Sequence, residues 1–328
     1  MIDRVVTVGE ALAVFRTTPG QSLWRAEQVA VGTGGAEANV AMTLAHRGVP
    51  VTWAGRVGDD SLGRRVTREL QAEGVTVSAV RDAARPTGLL VKDVRGDGRT
   101  VVSYYRSDSA GSALSVTDVD DLALDLGPGV LLHLTGITSA LSSSAADAIE
   151  HLVGMARSAG ASISVDVNHR PRLWGDRPAA SSHRLLAAAS DVLFASVDEV
   201  PLLVDGAESD LQAIPGDRAT AAAAVLAEHG HRHVVVTDGA AGSAAVHDEV
   251  VASMPALDVA VVDTVGAGDA FVGGYLAAWS QGESLSGRLA AGCISGAAAC
   301  RHGGDWEGAV DLSGLPPAER PGDDPVVR

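Results

Sequence analysis

The stretch Asp263-Thr264-Val265-Gly266-Ala267-Gly268-Asp269 decides which fold this chain is expected to adopt. Ahead of it, the apolar run Val259-Ala260-Val261-Val262 predicts a buried strand, and behind it residues 270–279 predict a helix. The first main-chain N–H groups of a helix have no intrahelical partner, and they lie at the positive end of the helix dipole. A glycine-rich turn at that position therefore predicts a site for an anion.

The acidic residue that closes this turn, Asp269, changes the interpretation. A carboxylate repels a bare phosphate, so its presence favours a general base beside an anion hole over a simple phosphate cradle. Phosphoryl transfer needs both parts, because donors stabilise the transferred charge while an acceptor takes the proton of the incoming hydroxyl. The turn thus indicates phosphoryl-transfer chemistry.

The composition is that of a globular protein. The 328 residues fit one large α/β domain with an elaboration, or two modest domains. Hydrophobic residues make up 46% of the chain, and the formal net charge is −16. That charge argues against a nucleic-acid or anionic-membrane partner, although a local basic pocket for an anionic substrate is compatible with it.

Cysteine usage and the first residues favour a cytoplasmic location. Cys293 and Cys300 are seven residues apart in a helix-like segment, which separates them by roughly 10 Å and rules out a relaxed disulfide. We expect no signal peptide, because the chain runs directly into a predicted first strand at residues 5–8. No apolar run approaches the ~20 residues that a bilayer-spanning helix needs.

From residue 130 onward, apolar strands alternate with helical segments. Predicted strands at 130–134, 163–167, 192–194 and 234–236 are separated by predicted helices at 145–158, 181–189 and 219–228. This alternation predicts a parallel sheet covered by helices on both faces, with ligands bound at the carboxyl ends of the strands. The polar residues that follow strand ends are expected on one rim: Asp166, Asn168, Arg170, Ser196, Glu199, Thr237 and Asp269.

Two strand-like runs, Leu89–Val94 and Thr100–Tyr105, are joined by the turn at residues 95–99 and predict a β-hairpin over the main sheet. Tyr104 and Arg106 suit contact with a polar ligand. A surface hairpin without any role is the alternative.

A second glycine-rich segment, Gly32-Thr33-Gly34-Gly35-Ala36-Glu37-Ala38-Asn39, precedes a predicted helix at residues 40–45 that ends near Gly48. Gly34 and Gly35 permit close approach of a ligand to the main chain, and Asn39 could bind a hydroxyl group. A purely structural glycine turn is the alternative.

Together the two glycine-rich segments resemble the two signature motifs of the ribokinase-like (PfkB) carbohydrate kinases, and the likeness extends to about residue 305. The resemblance implies an α/β fold, a Rossmann-like three-layer αβα sandwich with a small β-sheet lid. It also implies ATP as the phosphoryl donor, together with Mg²⁺. Asp269 would be the general base, and the main chain of Gly266, Ala267 and Gly268 would form the anion hole.

The same resemblance assigns residues to the nucleotide and the metal. Glu199 looks like the acid of an Asn-x-x-Glu element that helps to hold hydrated Mg²⁺, with Ser196 where asparagine is usual. A solvated carboxylate at a helix start is the alternative for Glu199. Three residues, Thr237, Gly239 and Gly242, belong to a turn that would approach the ATP phosphates, and an ordinary strand-to-hairpin turn is the alternative. Asp263 either helps to bind a monovalent cation such as K⁺, as related kinases do, or caps the turn.

Two further segments, residues 104–110 and 166–174, are similar to parts of the 2-keto-3-deoxygluconate kinases. In that branch Tyr104, Arg106 and Arg170 would hold an acid sugar, which would be phosphorylated to its 6-phosphate. A solvated or salt-bridged side chain is the alternative for each arginine. Leu90 stands where that branch tends to carry a tyrosine, so a related keto or aldonic acid, fructose or ribose remain alternatives.

The resemblance implies a kinase domain over residues 1–314, with the lid from about 10–35 and 87–110, and a flexible tail over 315–328. A homodimer formed through the lid is expected from the resemblance alone. A dinucleotide-dependent dehydrogenase is disfavoured, because no Gly-x-Gly-x-x-Gly turn follows the first strand. A non-catalytic sugar or nucleotide sensor is disfavoured by Asp269 beside an intact turn.

Overall fold

The computed structural model describes residues 2–18, 20–95, 100–207, 217–310 and 312. Two of the predictions above, the tail at 315–328 and the centre of the hairpin turn at 96–99, lie outside these residues. The strands are β1 (Arg4–Val8), β2 (Leu12–Arg16), β3 (Ala30–Gly34), β4 (Val51–Gly58), β5 (Thr76–Asp82), β6 (Leu89–Val94), β7 (Thr100–Tyr105), β8 (Val130–Thr135), β9 (Ser162–Asp166), β10 (Val192–Ser196), β11 (His233–Thr237), β12 (Ser243–His247) and β13 (Val250–Met254).

Helices connect most of these strands. They are α1 (Ala36–His46), α2 (Ser61–Ala72), α3 (Val116–Asp121), α4 (Gly136–Leu141), α5 (Ser143–Ala159), α6 (Pro171–Trp174), α7 (Ala179–Ala188), α8 (Val200–Leu203), α9 (Arg218–Glu228), α10 (Ala267–Ser280), α11 (Leu285–Cys300) and α12 (Glu307–Val310). Among the described residues, no helix is both long enough and apolar enough to cross a bilayer.

The large sheet of the described residues has the order β13-β12-β11-β10-β9-β8-β1-β4-β5. Strands from β5 across to β11 are parallel, and the hairpin β12–β13 adds an antiparallel edge. A separate small sheet has the order β3-β2-β6-β7. The predicted α/β class, with a mostly parallel sheet and a smaller second sheet, is confirmed.

Alternating side chains of the central strands face two separate cores. On β1 and β8, Val6 and Leu132 belong to a core that includes Ile149 of α5. Their neighbours Val5 and Leu131 belong to the opposite core, which α1 and α10 cover. Helices therefore cover both faces of the large sheet, as the alternation of strands and helices predicts.

The parallel strands bring their carboxyl ends to one edge of the sheet. Asp166 ends β9, Ser196 ends β10 and Thr237 ends β11, and the last two are directly paired in the register. The predicted rim is therefore present. The helix stop predicted beyond residue 158 is also found, because Gly160 caps α5 with a left-handed φ of 79°.

The predicted strand at residues 259–262 is wrong. Val261 and Val262 are 62% and 59% exposed, and the segment belongs to neither sheet. The strand β13 already forms the edge of the large sheet, and Val262 instead donates its main-chain N–H to the carbonyl of Cys300 at 2.7 Å. A short apolar run does not by itself distinguish a buried strand from an exposed connection.

Candidate active site

The anion turn forms the start of α10. Gly266 has a left-handed φ of 80°, and a Cβ there would lie 1.9 Å from the carbonyl oxygen of Asp305, so only glycine fits. A Cβ on Gly268 would meet nothing within 4 Å, which leaves its main chain open to the cavity. The Ala267 N–H donates to the Thr264 carbonyl at 3.2 Å, so this amide is bonded inside the turn. That contact differs from the predicted role of Ala267 in the anion hole.

The carboxylate of Asp269 faces the cavity and is only 8% exposed. Oδ2 accepts a hydrogen bond from Nδ2 of Asn39 on α1 at 2.8 Å, and Oδ1 accepts one from Nδ2 of Asn168 at 3.3 Å. Burial raises the pKa of Asp269, while these two amides and the charge of Arg170 oppose the shift. The side chain is thus held by neutral donors and is paired with no base among the described residues.

A cavity of about 420 Å³ lies between the rim, the anion turn and the small sheet. Of the sequence-predicted site residues, it is lined by Gly35, Asn39, Tyr104, Arg106, Arg170, Ser196, Glu199, Thr237, Gly266, Gly268 and Asp269. Residues more than 200 positions apart in the chain therefore meet in one pocket.

Four predicted site residues do not line this cavity: Gly34, Ala267, Gly239 and Gly242. Two of them are packed closely against other parts of the protein instead. A Cβ on Gly34 would lie 2.5 Å from Oδ2 of Asp305, and a Cβ on Gly242 would lie 2.3 Å from the Met254 carbonyl oxygen. Gly239 is exposed in the short 3₁₀ turn Gly239–Ala241. Nucleotide contact by Gly239 and Gly242 stays a prediction.

Glu199 ties together the ends of two neighbouring strands. Its Oε2 accepts from the Ser196 N–H at 2.7 Å, and its Oε1 accepts from the His169 N–H at 2.6 Å. The carboxylate therefore has a structural role at the ends of β9 and β10, in addition to facing the cavity.

Asp166, which the sequence places on the rim without a role, lies beside this carboxylate. Burial and the negative charges of Glu199 and Asp269 raise the pKa of Asp166 well above its usual range, and Arg170 opposes the shift. Carboxylate oxygens that repel one another in a shared pocket are suitable ligands for a hard divalent cation such as Mg²⁺. No group of three or more acidic, histidine or cysteine side chains among the described residues is arranged to hold a metal ion, so Asp166 and Glu199 would bind Mg²⁺ only together with water or the nucleotide.

Arg106 is paired inside the protein. Its Nε lies 2.6 Å and its Nη2 2.5 Å from Oε2 of Glu10. Glu10 is 2% exposed, and its other oxygen, Oε1, accepts a hydrogen bond from the Ser109 hydroxyl. The guanidinium also lies 5.7 Å from the ring centre of Tyr104, whose side chain is half-exposed. Sequence reasoning missed Glu10 as the residue that fixes Arg106.

Arg170 lies in a different environment from Arg106. It is exposed, and its Nη1 donates only to the neighbouring His169 carbonyl, at 3.1 Å. Among the described residues, no carboxylate lies within ion-pair distance of its guanidinium. Arg170 is therefore the cation of this cavity that remains open to an anionic ligand.

A second buried acid missed by sequence reasoning supports the other side of the site. Glu37 is 1% exposed and accepts hydrogen bonds from the hydroxyls of Thr135 and Thr138 at 2.7 and 2.6 Å. A Cβ on Gly9 would lie 2.2 Å from the carboxyl carbon of Glu37. Glu37 thus fixes the start of α1, which carries Asn39.

Comparison with known proteins agrees with this geometry. The family model described as pfkB family carbohydrate kinase matches residues 2–310. The chain belongs to this family. It is a sugar kinase of the pfkB family, and its α/β fold is ribokinase-like.

Two curated relatives are similar over most of this pfkB kinase. A 2-dehydro-3-deoxygalactonokinase from Haloferax volcanii is 32% identical over 90% of this chain and 91% of the relative. A 2-dehydro-3-deoxygluconokinase from Bacillus subtilis is 34% identical over 92% of this chain and 91% of the relative.

Solved structures have the same fold. A PfkB protein from Polaromonas sp. JS666 superposes with a TM-score of 0.78 at 31% identity, over 91% of this chain and 96% of the other. A fructokinase from Vibrio cholerae O395 with bound fructose, ADP and calcium ion gives 0.77 at 25% identity, over 94% and 96%. A double mutant of that fructokinase with fructose, ADP and potassium ion gives 0.76 at 24% identity, over 94% and 96%.

Proposed function

We propose that this pfkB kinase transfers the γ-phosphoryl group of ATP to the 6-hydroxyl of a 2-keto-3-deoxy sugar acid, with 2-keto-3-deoxygluconate as the first candidate. The observation that carries this proposal is Arg170, which forms no salt bridge among the described residues and lies in the same cavity as the buried Asp269. Its charge acts on the nearby carboxyl groups of Asp166 and Asp269, but none of the carboxylates that the structure describes is within bonding distance of it. In a chain of net charge −16, an open cation in the cavity favours an anionic substrate. The two curated relatives above act, by their names, on sugar acids of this class.

In the proposed reaction, the carboxylate of Asp269 accepts the proton of the sugar hydroxyl as that oxygen attacks phosphorus. The main-chain N–H of Gly268 and the positive end of α10 face the charge that develops on the phosphoryl oxygens. Gly266 and Gly35 permit close approach of the substrates, and Asn39 orients the base through its 2.8 Å hydrogen bond. This arrangement aligns the reacting groups before transfer.

The residues of the rim would bind the nucleotide and its metal. Asp166 and Glu199 are the proposed ligands of Mg²⁺, directly or through water, while Ser196 and Thr237 would contact the nucleotide. When bound, Mg²⁺ supplies charge neutralisation on the phosphate oxygens. Location in the cytoplasm and assembly of a homodimer through the small sheet stay predictions.

A fructokinase is the second candidate, and Leu90 is the observation that favours it. Leu90 is 3% exposed, packs with Leu12 and Val14 of the small sheet, and lines the cavity. A leucine at this position gives the cavity an apolar wall where an acid-sugar kinase was expected to offer a hydroxyl group. A fructose-binding relative has the same fold.

The test is an ADP-release assay on the purified protein with a panel of sugars and sugar acids. We expect kcat/KM for 2-keto-3-deoxygluconate or its galactonate epimer to exceed that for fructose and ribose by about 100-fold, the scale of one charge-assisted contact. A higher kcat/KM for fructose would overturn the sugar-acid proposal and favour the second candidate. Absence of ADP release with every sugar would favour a sensor.

A further inference from the structure

Lys92 is the only lysine in the chain, and the other 24 of its 25 basic residues are arginines. It lies on β6 of the small sheet, and its side chain is fully buried. A buried ammonium group is rare unless acidic partners compensate for the loss of water. Its environment therefore shows what this single lysine does.

The ammonium group of Lys92 joins two buried carboxylates. Nζ donates to Oδ2 of Asp263 at 3.1 Å and lies 2.6 Å from Oδ1 of Asp305. The two acids are 9% and 4% exposed. Because water is nearly excluded from all three groups, the interaction between them is only weakly screened.

Both acids are in contact with the anion turn. Oδ1 of Asp263 accepts the N–H of Val265 at 3.1 Å, so Asp263 caps the turn, which is one of the two roles that the sequence left open. The main-chain oxygen of Asp305 occupies the space beside Gly266, and Asp305 also lines the cavity. Lys92 thus connects the small sheet to the two segments that shape the turn.

The charge on these acids acts against the function of the turn. Two ionised carboxylates beside a phosphate-binding turn would repel the negative charge of a nucleotide. A compact ammonium group can lie between them, whereas the wider planar guanidinium of arginine would need more space. This difference gives a physical reason for one lysine in a chain whose other bases are arginines.

A monovalent cation fits these residues poorly. A fructokinase structure with the same fold holds a potassium ion, and the sequence left it open whether Asp263 would bind such an ion or cap the turn. Here Nζ of Lys92 already lies within bonding distance of Asp263 and Asp305. An added K⁺ would therefore have to share the same two carboxylates with a second positive charge.

We propose that Lys92 takes the place of a monovalent cation in this kinase: its ammonium binds Asp263 and Asp305 together and compensates one unit of their negative charge, positions the anion turn, and makes activity independent of K⁺. Lys92 is a positioning residue, since it acts through the turn. The proposal requires only phosphoryl transfer from ATP and does not depend on which sugar is the acceptor.

The first test compares the wild-type protein in NaCl, KCl and tetramethylammonium chloride at equal ionic strength. We expect kcat and the KM for ATP to agree within about twofold, because no site distinguishes the three cations. Activation by K⁺ of about tenfold or more would overturn the proposal.

The second test separates positioning by charge from simple packing. Lys92→Ala removes the ammonium and opens space, so we expect kcat to fall by about 100-fold and to be restored saturably, by at least about tenfold, with K⁺, ammonium or methylammonium ions. Lys92→Met removes the charge but fills the space, so the same loss should occur without restoration. Arg95→Ala is the matched control, because it removes an exposed base just beyond β6 and should leave kcat unchanged. A loss in Lys92→Ala that no cation restores would overturn the proposal.

The third test needs no sugar, and its first measurement uses only the wild-type protein, so it remains informative if the variants fold poorly. Lysine labelled with ¹⁵N at Nζ gives one side-chain ammonium signal, because the chain has one lysine. In the wild-type protein we expect this signal to be protected from solvent exchange and unchanged when KCl replaces NaCl. We also expect K⁺ to raise the melting temperature of Lys92→Ala, but not of the wild type, since an ion that binds the folded state stabilises it. An exchange-averaged, unprotected signal would contradict the proposal even if the sugar assignment were correct.

Discussion

Nδ2 of Asn168 lies 3.3 Å from Oδ1 of Asp269, although the two residues are 101 positions apart in the chain. Asn168 reaches it from a left-handed main chain with a φ of 39°, two residues after the end of β9. A positive φ in a residue other than glycine costs energy and persists where its surroundings hold it. The end of a strand and the start of α10 are thereby joined at the proposed base.

Replacement of Asp269 by asparagine should separate activity from stability. We expect kcat to fall by at least about 100-fold, the usual scale for a positioned base, with little change in nucleotide affinity. Burial raises the pKa of Asp269 above its unfolded value, so the ionised group destabilises the folded state at neutral pH. The melting temperature of Asp269→Asn should therefore be equal to or higher than that of the wild type at pH 7, and the difference should vanish in acid.

The matched control for this prediction is Asp198→Asn, the same change on an exposed carboxylate that lies outside the cavity lining. It should leave kcat unchanged. A near-normal rate in Asp269→Asn would remove Asp269 from its proposed role.

The acidic limb of the pH profile should depend on Asn39. The base is active when ionised, so kcat/KM should fall as the pH drops through the raised pKa of Asp269. Asn39→Ala removes a hydrogen bond that lowers this pKa, so the limb should move to higher pH. Asn168→Gly, which tolerates the positive φ, should move it in the same direction by less, because its bond is longer. Identical profiles in all three proteins would contradict this account.

The two arginines of the cavity should respond differently to substitution by alanine. Arg170 forms no salt bridge among the described residues, so Arg170→Ala should raise the KM for a sugar acid by about tenfold or more, with little effect on the KM for fructose or on melting temperature. Arg106→Ala leaves Glu10 buried and unpaired, which should lower the free energy of unfolding by about 3–5 kcal/mol. Chemical denaturation tests the stability effect of Arg106→Ala, and KM values for a sugar acid and for fructose test the effect of Arg170→Ala. An equal rise in KM for both sugars would contradict a contact between Arg170 and the carboxylate of the substrate.

Two glycines of the anion turn provide a paired test of its geometry. Gly266→Ala places a methyl group against the Asp305 carbonyl at a positive φ, so the protein should lose about 1–3 kcal/mol of stability together with activity. Gly268→Ala meets open space, so its melting temperature should stay close to that of the wild type while the KM for ATP rises. The opposite order of melting temperatures would contradict this description of the turn.

Much of this site was predictable because its parts are local in sequence. Glycine turns mark the starts of α1 and α10, and parallel strands must bring residues such as Asp166, Ser196 and Thr237 to one edge. The prediction of a strand at 259–262 was wrong because an apolar pattern carries no information about which sheet edge is already occupied, here by β13.

Contacts between distant residues could not be predicted in this way. Glu10 and Arg106 are 96 residues apart, and Lys92 and Asp263 are 171 apart, so no periodic pattern relates them. Each of these residues is, by type, usually exposed, and only the fold shows that it is buried with a partner. The sequence does carry one signal of this kind, because a single lysine among arginines indicates a site where the smaller ammonium group is required.

The cavity is lined by the small sheet on one side and by the start of α10 on the other, and this has a consequence for engineering. Tyr104 lies in β7 and Arg106 follows it, whereas Asp269 lies in α10. Exchanging the β6–β7 hairpin with that of a relative is therefore a route to a new acceptor sugar. Lys92 lies on the transplanted strand. A donor hairpin with a small uncharged residue at this position would yield a hybrid that requires added potassium, and the salt in the assay buffer would then decide whether the graft is scored as a success.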